Sequence, residues 1–167
     1  MTKAKASVLA SFSLLLFGAL AVGFARRTAR APEQPIAFNH KSHTIDRKID
    51  CSNCHEYYNQ QAAAGIPSVR TCYTCHSRVQ TNNSEVKKIF AYYEKKQEIP
   101  WIRLYQMPDH VLFTHKRHIK VGLTCRECHG NIGESAVAKR EVDHTMGRCM
   151  KCHEAKGASI DCLTCHR

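Results

Sequence analysis

The chemistry available to this chain lies in its ten cysteines and eleven histidines. The cysteines fall in five pairs, Cys51/Cys54, Cys72/Cys75, Cys125/Cys128, Cys149/Cys152 and Cys162/Cys165, with two residues inside each pair and none left over. Each second cysteine is followed by a histidine: His55, His76, His129, His153 and His166. Cys-x-x-Cys-His is the attachment pattern for c-type haem, in which two thiols add to the vinyl groups of one porphyrin and the adjacent imidazole reaches the iron. The expected cofactors are therefore five covalently bound haems c. The ten cysteines are their attachment points and the five histidines their proximal metal ligands.

Two other uses of paired cysteines fit less well. A tetrahedral zinc site of four cysteines joins two pairs, which would strand the fifth, and needs no histidine after each pair. A disulfide framework of five such short loops would staple nothing distant in the chain.

Six histidines lie outside the motifs, and His40, His43, His110, His115, His118 and His144 exceed by one the number needed to complete five irons. Four of them form two His-x-x-His pairs, His40/His43 and His115/His118. On a helical turn such residues project about 60° apart and can serve two neighbouring haems. His144, five residues before Cys149, is read as a further distal ligand, with Met146 and His110 as rivals. If every iron has two protein ligands, no open position remains for a substrate. The chain is then a conductor of electrons with no catalytic residues, not an enzyme by itself, and bis-histidine ligation favours low potentials.

The elements that position these groups are few. Phe38-Asn39-His40-Lys41-Ser42-His43 matches Phe113-Thr114-His115-Lys116-Arg117-His118 at an offset of 75, with Cys51 and Cys125 offset by 74 and Cys72 and Cys149 by 77. The organisation read from this is a membrane anchor or signal peptide over 1–30, a linker over 31–35, a two-haem module over 36–80, a connecting helix and extended segment over 81–112, and a three-haem module over 113–167. Ser84 reads as the cap of the connecting helix. That helix would run to about Gln97 and bury Val86, Ile89, Phe90 and Tyr93, with Pro100 beyond its end. Elsewhere only short helical turns after the haem sites are expected, so haem must supply much of the buried apolar surface.

Ala6 to Ala25 is a run of 20 uncharged, mainly apolar positions flanked by Lys3, Lys5, Arg26, Arg27 and Arg30. It exceeds the core of an ordinary signal peptide, so a retained transmembrane helix is preferred to a cleaved leader. Either way the cysteine region is exported to the periplasmic side. No cysteine precedes Cys51, so a lipid anchor on cysteine is not expected. The formal charge is +11, of which the five basic residues of 1–30 contribute five. The remaining excess is read as counter-charge for haem propionates rather than as a nucleic-acid surface.

The segment from Phe113 to His166 resembles a trihaem class III cytochrome c: Phe-x-His-x-x-His, Cys125-x-x-Cys-His, a histidine at 144, then Cys149-x-x-Cys-His and Cys162-x-x-Cys-His. That resemblance implies that His115 completes haem 3, His118 haem 4 and His144 haem 5; by repetition His40 completes haem 1 and His43 haem 2. The implied fold is multihaem class III cytochrome c-like, with little regular secondary structure, short helices around covalent haems and one N-terminal transmembrane helix.

Over nearly the whole chain, the anchor, the five sites and the stretch Trp101-x-Arg103-x-Tyr105-x-x-Pro108-Asp109-x-Val111-x-Phe113 resemble the pentahaem cytochrome subunit of alternative complex III, a quinol-oxidising membrane assembly. Where those relatives often have Met-Gly-Trp-Cys before the fourth haem, this chain has Met146-Gly147-Arg148-Cys149. The resemblance implies electron transfer from a quinol-oxidising complex to a downstream cytochrome or oxidase. It also implies an iron-sulfur protein, integral membrane quinol-binding subunits and a further cytochrome c as partners. The alternatives are a free periplasmic electron shuttle and a haem reductase with one open iron.

Overall fold

Short helices, each started by a polar cap and all but the longest carrying histidines or cysteines, make up most of the regular structure in the computed structural model, which describes residues 31–167. In chain order they are α1 (His40–Thr44), α2 (Val69–His76), α3 (Ser84–Glu94), α4 (His115–Lys120), α5 (Cys125–His129), α6 (Met146–Ala155) and α7 (Cys162–Cys165), with single 3-10 turns at Cys51–Asn53 and Ile132–Glu134. The only β pairing among the described residues is an isolated antiparallel bridge between Val111 and His166. Residues 32–167 cluster as one unit. The apolar run 6–25 lies outside the described residues, and among those described no helix is long and apolar enough to cross a membrane.

Hydrophobic burial is scarce. The buried hydrophobic residues are Ile36, Val69, Val86, Ile89 and Ile99, and no described side chain is fully buried. Ile36, Val69, Ile89 and Ile99 form one cluster with Cys72, Tyr73, Tyr92 and Trp101 around it. It holds α2 against α3, where the rings of Tyr73 and Tyr93 stack at 3.7 Å and Phe90 meets Tyr73 edge-on at 5.6 Å. The attachment helix of the second site is thus braced by the connecting helix.

That helix differs in detail from the expectation. Asn83, not Ser84, is its cap, because the Asn83 carboxamide oxygen accepts from the backbone N–H groups of Glu85 and Val86. It ends at Glu94 rather than near Gln97, since Lys96 takes the left-handed conformation at φ 53°. Val86 and Ile89 are buried as expected, but Tyr93 remains partly exposed on the Tyr73 ring. Helices α2 and α6 are also longer than the turns expected after haem sites, because Ser68 and Thr145 cap them ahead of their cysteines.

Segments distant in sequence close the body. The Gln34 side chain donates to the Ile102 carbonyl at 2.8 Å and accepts from the Ile102 N–H at 2.9 Å, which ties the chain before α1 to the stretch after α3. Glu98 accepts from Val69 N–H at 2.7 Å, placing a carboxylate at the positive end of α2. The two modules clasp each other reciprocally. Residues after the first cysteine pair hold α4, with His115 N–H donating to Ala62 O at 3.0 Å and Lys116 N–H to Gln61 O at 3.2 Å. Residues after the third pair hold α1, with Lys41 N–H donating to Ser135 O at 3.1 Å and Thr44 Oγ1 donating to Gly133 O.

Candidate haem-binding sites

Each Cys-x-x-Cys-His run sits on a tight turn or short helix that leaves its histidine half-buried. At the first site the 3-10 turn brings His55 N–H to Cys51 O at 2.8 Å. The second site occupies the last turns of α2 and the fourth those of α6. The third is α5 itself, whose Thr124 and Glu127 form a reciprocal capping box. In the fifth, Asp161 accepts from Leu163 N–H at 2.9 Å and Thr164 N–H at 3.3 Å to start α7.

The histidine rings are fixed by one recurring bond, in which Nδ1–H donates to a backbone carbonyl. His55 reaches Gly65 O at 2.7 Å, His76 reaches Val79 O at 3.1 Å, and His153 reaches Ser159 O at 2.6 Å. His43 reaches Asn39 O at 2.8 Å, His115 reaches Ala62 O at 2.7 Å, and His118 reaches Thr114 O at 2.8 Å. This bond sets the tautomer and leaves the Nε2 lone pair free, as in metal-ligating histidines generally. Burial lowers His40 and His129 to about 4, with added repulsion from His55 and His43 for the first and from His144, His115 and His55 for the second. Both are therefore neutral imidazoles with a lone pair to give.

The spacing of the rings tests the fit to an iron. A metal binds an imidazole nitrogen at about 2.0 Å and that nitrogen lies about 1.1 Å from its ring centre, so two imidazoles on opposite sides of one metal have centres about 6.2 Å apart. His43 and His76 are separated by 6.1 Å, His115 and His129 by 6.2 Å, and His118 and His153 by 6.1 Å. His110 and His166 are 5.7 Å apart with ring planes 18° from parallel. His40 lies near both His55 and His43. Among the described residues no three or more of His, Cys, Asp and Glu gather as a cage, as a zinc site would require. No two of the ten cysteines are joined in a disulfide. His40 Nδ1 and Trp101 Nε1 are buried with no polypeptide partner, and a propionate is a fitting acceptor for such a buried N–H. The residues present fit haem.

The cysteines also show how the sites adjoin. Burial raises the Cys72 thiol to about 11, and burial likewise raises Cys51, Cys54 and Cys128. Neighbouring thiols add to each shift: Cys54 feels Cys75 and Cys72 feels Cys54, Cys51 feels Cys125, and Cys128 feels Cys152 and Cys149. The attachment points therefore run in the order second, first, third, fourth.

His144 does not face His166. Its ring lies on Tyr105 at 4.7 Å and edge-on to His129 at 5.6 Å, with Nε2–H donating to Cys128 O at 2.8 Å. Met146 opens α6 with its side chain 61% exposed. Sequence reasoning passed over two aromatic supports. Phe38 contacts both His40 (4.8 Å, edge-on) and His43 (4.5 Å), and Phe113 contacts His115 (4.9 Å, edge-on) and His118 (4.9 Å) in the same manner. Their place in the repeat was the signal for this role. Tyr105 carried no such signal, because its hydroxyl is held by N–H groups of Glu141 and Val142 far along the chain.

Residues 23–101 match the class III cytochrome C family, and residues 111–167 match cytochrome c7 and related cytochrome c. The chain is 29% identical over 162 residues to the menaquinone reductase, multihaem cytochrome c subunit, of Nitratidesulfovibrio vulgaris, an alignment spanning 81% of this chain and 77% of that protein.

Proposed function

We propose that the chain is an electron-transfer cytochrome of the class III multihaem family, as its matches to class III and cytochrome c7 models indicate, that it carries five covalent haems c, and that it serves as the electron-relay subunit of a quinone-linked membrane complex. The observation that carries this reading is the set of facing imidazole pairs 5.7–6.2 Å apart, each containing the histidine of a Cys-x-x-Cys-His run. When bound, each haem supplies a one-electron ferric/ferrous couple.

The polypeptide does the rest. Its ten cysteines fix the positions of the groups by thioether bonds, and His55, His76, His129, His153 and His166 present Nε2 from the attachment side. His40, His43, His115 and His118 present Nε2 from the far side, while the backbone carbonyls that accept from Nδ1–H of His43, His55, His76, His115, His118 and His153 fix the tautomer and leave Nε2 free. With two imidazoles per metal no position is left for a substrate, which suits conduction rather than catalysis. Adjacent attachment thiols at sites 2, 1, 3 and 4 favour transfer between neighbours.

The anchored N-terminus places the haem body on the periplasmic side of the membrane. There it meets an iron-sulfur protein, integral membrane subunits that bind quinol, and a further cytochrome c. In the preferred direction electrons come from quinol and leave to a downstream cytochrome or oxidase. The opposite direction is favoured by the relative from N. vulgaris, whose name is that of a menaquinone reductase. Purifying the complex from native membranes and adding menaquinol tests both: rapid reduction of the haem bands supports quinol oxidation. Failure of menaquinol to reduce them, with menaquinone reoxidising the pre-reduced protein, reverses the direction. Purification of the chain without membrane partners overturns the assignment to a complex.

A further inference from the structure

We propose that His110, rather than His144, is the distal ligand of the iron at Cys162-x-x-Cys165-His166, and that His144 is a positioning residue for the site at Cys125 and Cys128. The inference rests on the haem reading above and assigns a ligand within it.

His110 and His166 face each other at 5.7 Å with planes 18° apart, close to the spacing of the other opposed pairs. Their approach is built by the backbone. The C-terminal tail returns antiparallel to the segment before α4, with the Val111–His166 bridge, Leu112 N–H donating to Cys165 O at 2.8 Å and Arg167 N–H donating to His110 O at 3.2 Å. The Arg167 guanidinium closes the clasp on Asp109 O at 3.1 and 3.2 Å. Each of these bonds fixes a neighbour of one imidazole relative to a neighbour of the other, so the facing geometry is a property of the fold.

His144 is held elsewhere by an equally complete set of contacts. Its Nε2, the nitrogen a distal ligand would present, is committed to Cys128 O at 2.8 Å. Its ring is sandwiched toward Tyr105, and Tyr105 is in turn fixed by Glu141 N–H at 3.1 Å and Val142 N–H at 3.4 Å, with the Arg140 guanidinium 5.6 Å over its ring. Moving His144 to His166 would break all of these. In place, it steadies the carbonyl of the very cysteine that precedes His129.

The test uses the full-length, haem-loaded protein in its membranes, with haem number read by mass and spin state by electron paramagnetic resonance. In His110→Ala all haems stay attached, one ferric iron in five turns high-spin, the ferrous protein binds about one equivalent of carbon monoxide, and added imidazole restores the low-spin signal. His144→Ala keeps every iron low-spin but shifts the low-spin signal of the haem at Cys125 and Cys128 alone. His110→Met, which supplies an alternative ligand and guards against misfolding of the alanine variant, stays low-spin and raises the potential of one haem alone. An open iron in His144→Ala, or no open iron in His110→Ala together with unchanged potentials in His110→Met, overturns the assignment. A wild-type mass short of five haems would instead overturn the underlying haem reading.

Discussion

Cys51 and Cys125, 74 positions apart in the chain, are neighbours in the fold: after burial, the Cys125 thiol is the strongest influence raising that of Cys51. They are the first cysteines of corresponding sites in the two copies of the repeat, so the copies meet at equivalent points. The backbone explains how: the loop after Cys51-x-x-Cys54-His55 grips α4, and the loop after Cys125-x-x-Cys128-His129 grips α1. Each module thereby holds the His-x-x-His helix of the other. His115 draws its Nδ1 partner, Ala62 O, from the first module, so the repeat is a structural pair and not two beads on a string.

Thr44→Val should weaken this clasp. It removes the hydroxyl that donates to Gly133 O and keeps the shape of the side chain. A lost hydrogen bond of this kind costs about 1 kcal/mol, which lowers the melting temperature of the haem-loaded protein by roughly 2–4 °C for a chain of this size. An unchanged melting curve would remove the clasp as a stabilising feature.

Gly65 is fixed by its conformation. It has φ +85°, and a Cβ there would come within 2.8 Å of the Tyr57 ring, while its carbonyl holds His55 Nδ1. Gly65→Ala should cost about 1–2 kcal/mol and alter the signal of one low-spin haem by turning the His55 imidazole. Gly122 shares φ +85° with nothing within 4 Å, so Gly122→Ala should destabilise without touching any haem signal. Identical spectra in both variants would show that the Gly65 carbonyl does not orient His55.

The repeated phenylalanines should act on two haems each. Phe38 packs on His40 and His43, and Phe113 on His115 and His118, with matching edge-on and face contacts. Phe38→Leu should change the low-spin resonances of sites 1 and 2 alone, and Phe113→Leu those of sites 3 and 4 alone. A change confined to one haem per variant would contradict the shared support.

The five Cys-x-x-Cys-His runs and the repeat are legible in the sequence because the chemistry they suit demands fixed local spacing. The placements of His43, His115 and His118 opposite His76, His129 and His153 follow from that same repeat. Legibility failed where position depends on distant backbone. His110 has no counterpart in the first module and meets His166 only because the tail folds back on Val111 and Leu112. His144 looked available by its place before Cys149, yet Tyr105 and Cys128 O claim it. The boundary of α3 moved by one residue because two polar residues, Asn83 and Ser84, competed for the cap and only Asn83 reaches back to the free N–H groups.

His115→Ala and His118→Ala separate the two members of one clamp. Their rings face His129 and His153 respectively, on different cysteine pairs. His115→Ala should open the iron at Cys125 and Cys128, and His118→Ala the iron at Cys149 and Cys152, with every haem still attached. Carbon monoxide binding followed by structural location of the affected iron checks this. The same iron opening in both variants would refute the clamp.

The central claim, a chain carrying a covalent haem at every Cys-x-x-Cys-His run, is tested most directly by the intact mass of the purified, denatured protein. The account predicts a mass excess of five haems that survives unfolding and acid extraction. An excess of fewer haems, or a polypeptide mass alone with zinc or disulfides on the cysteines, would contradict it.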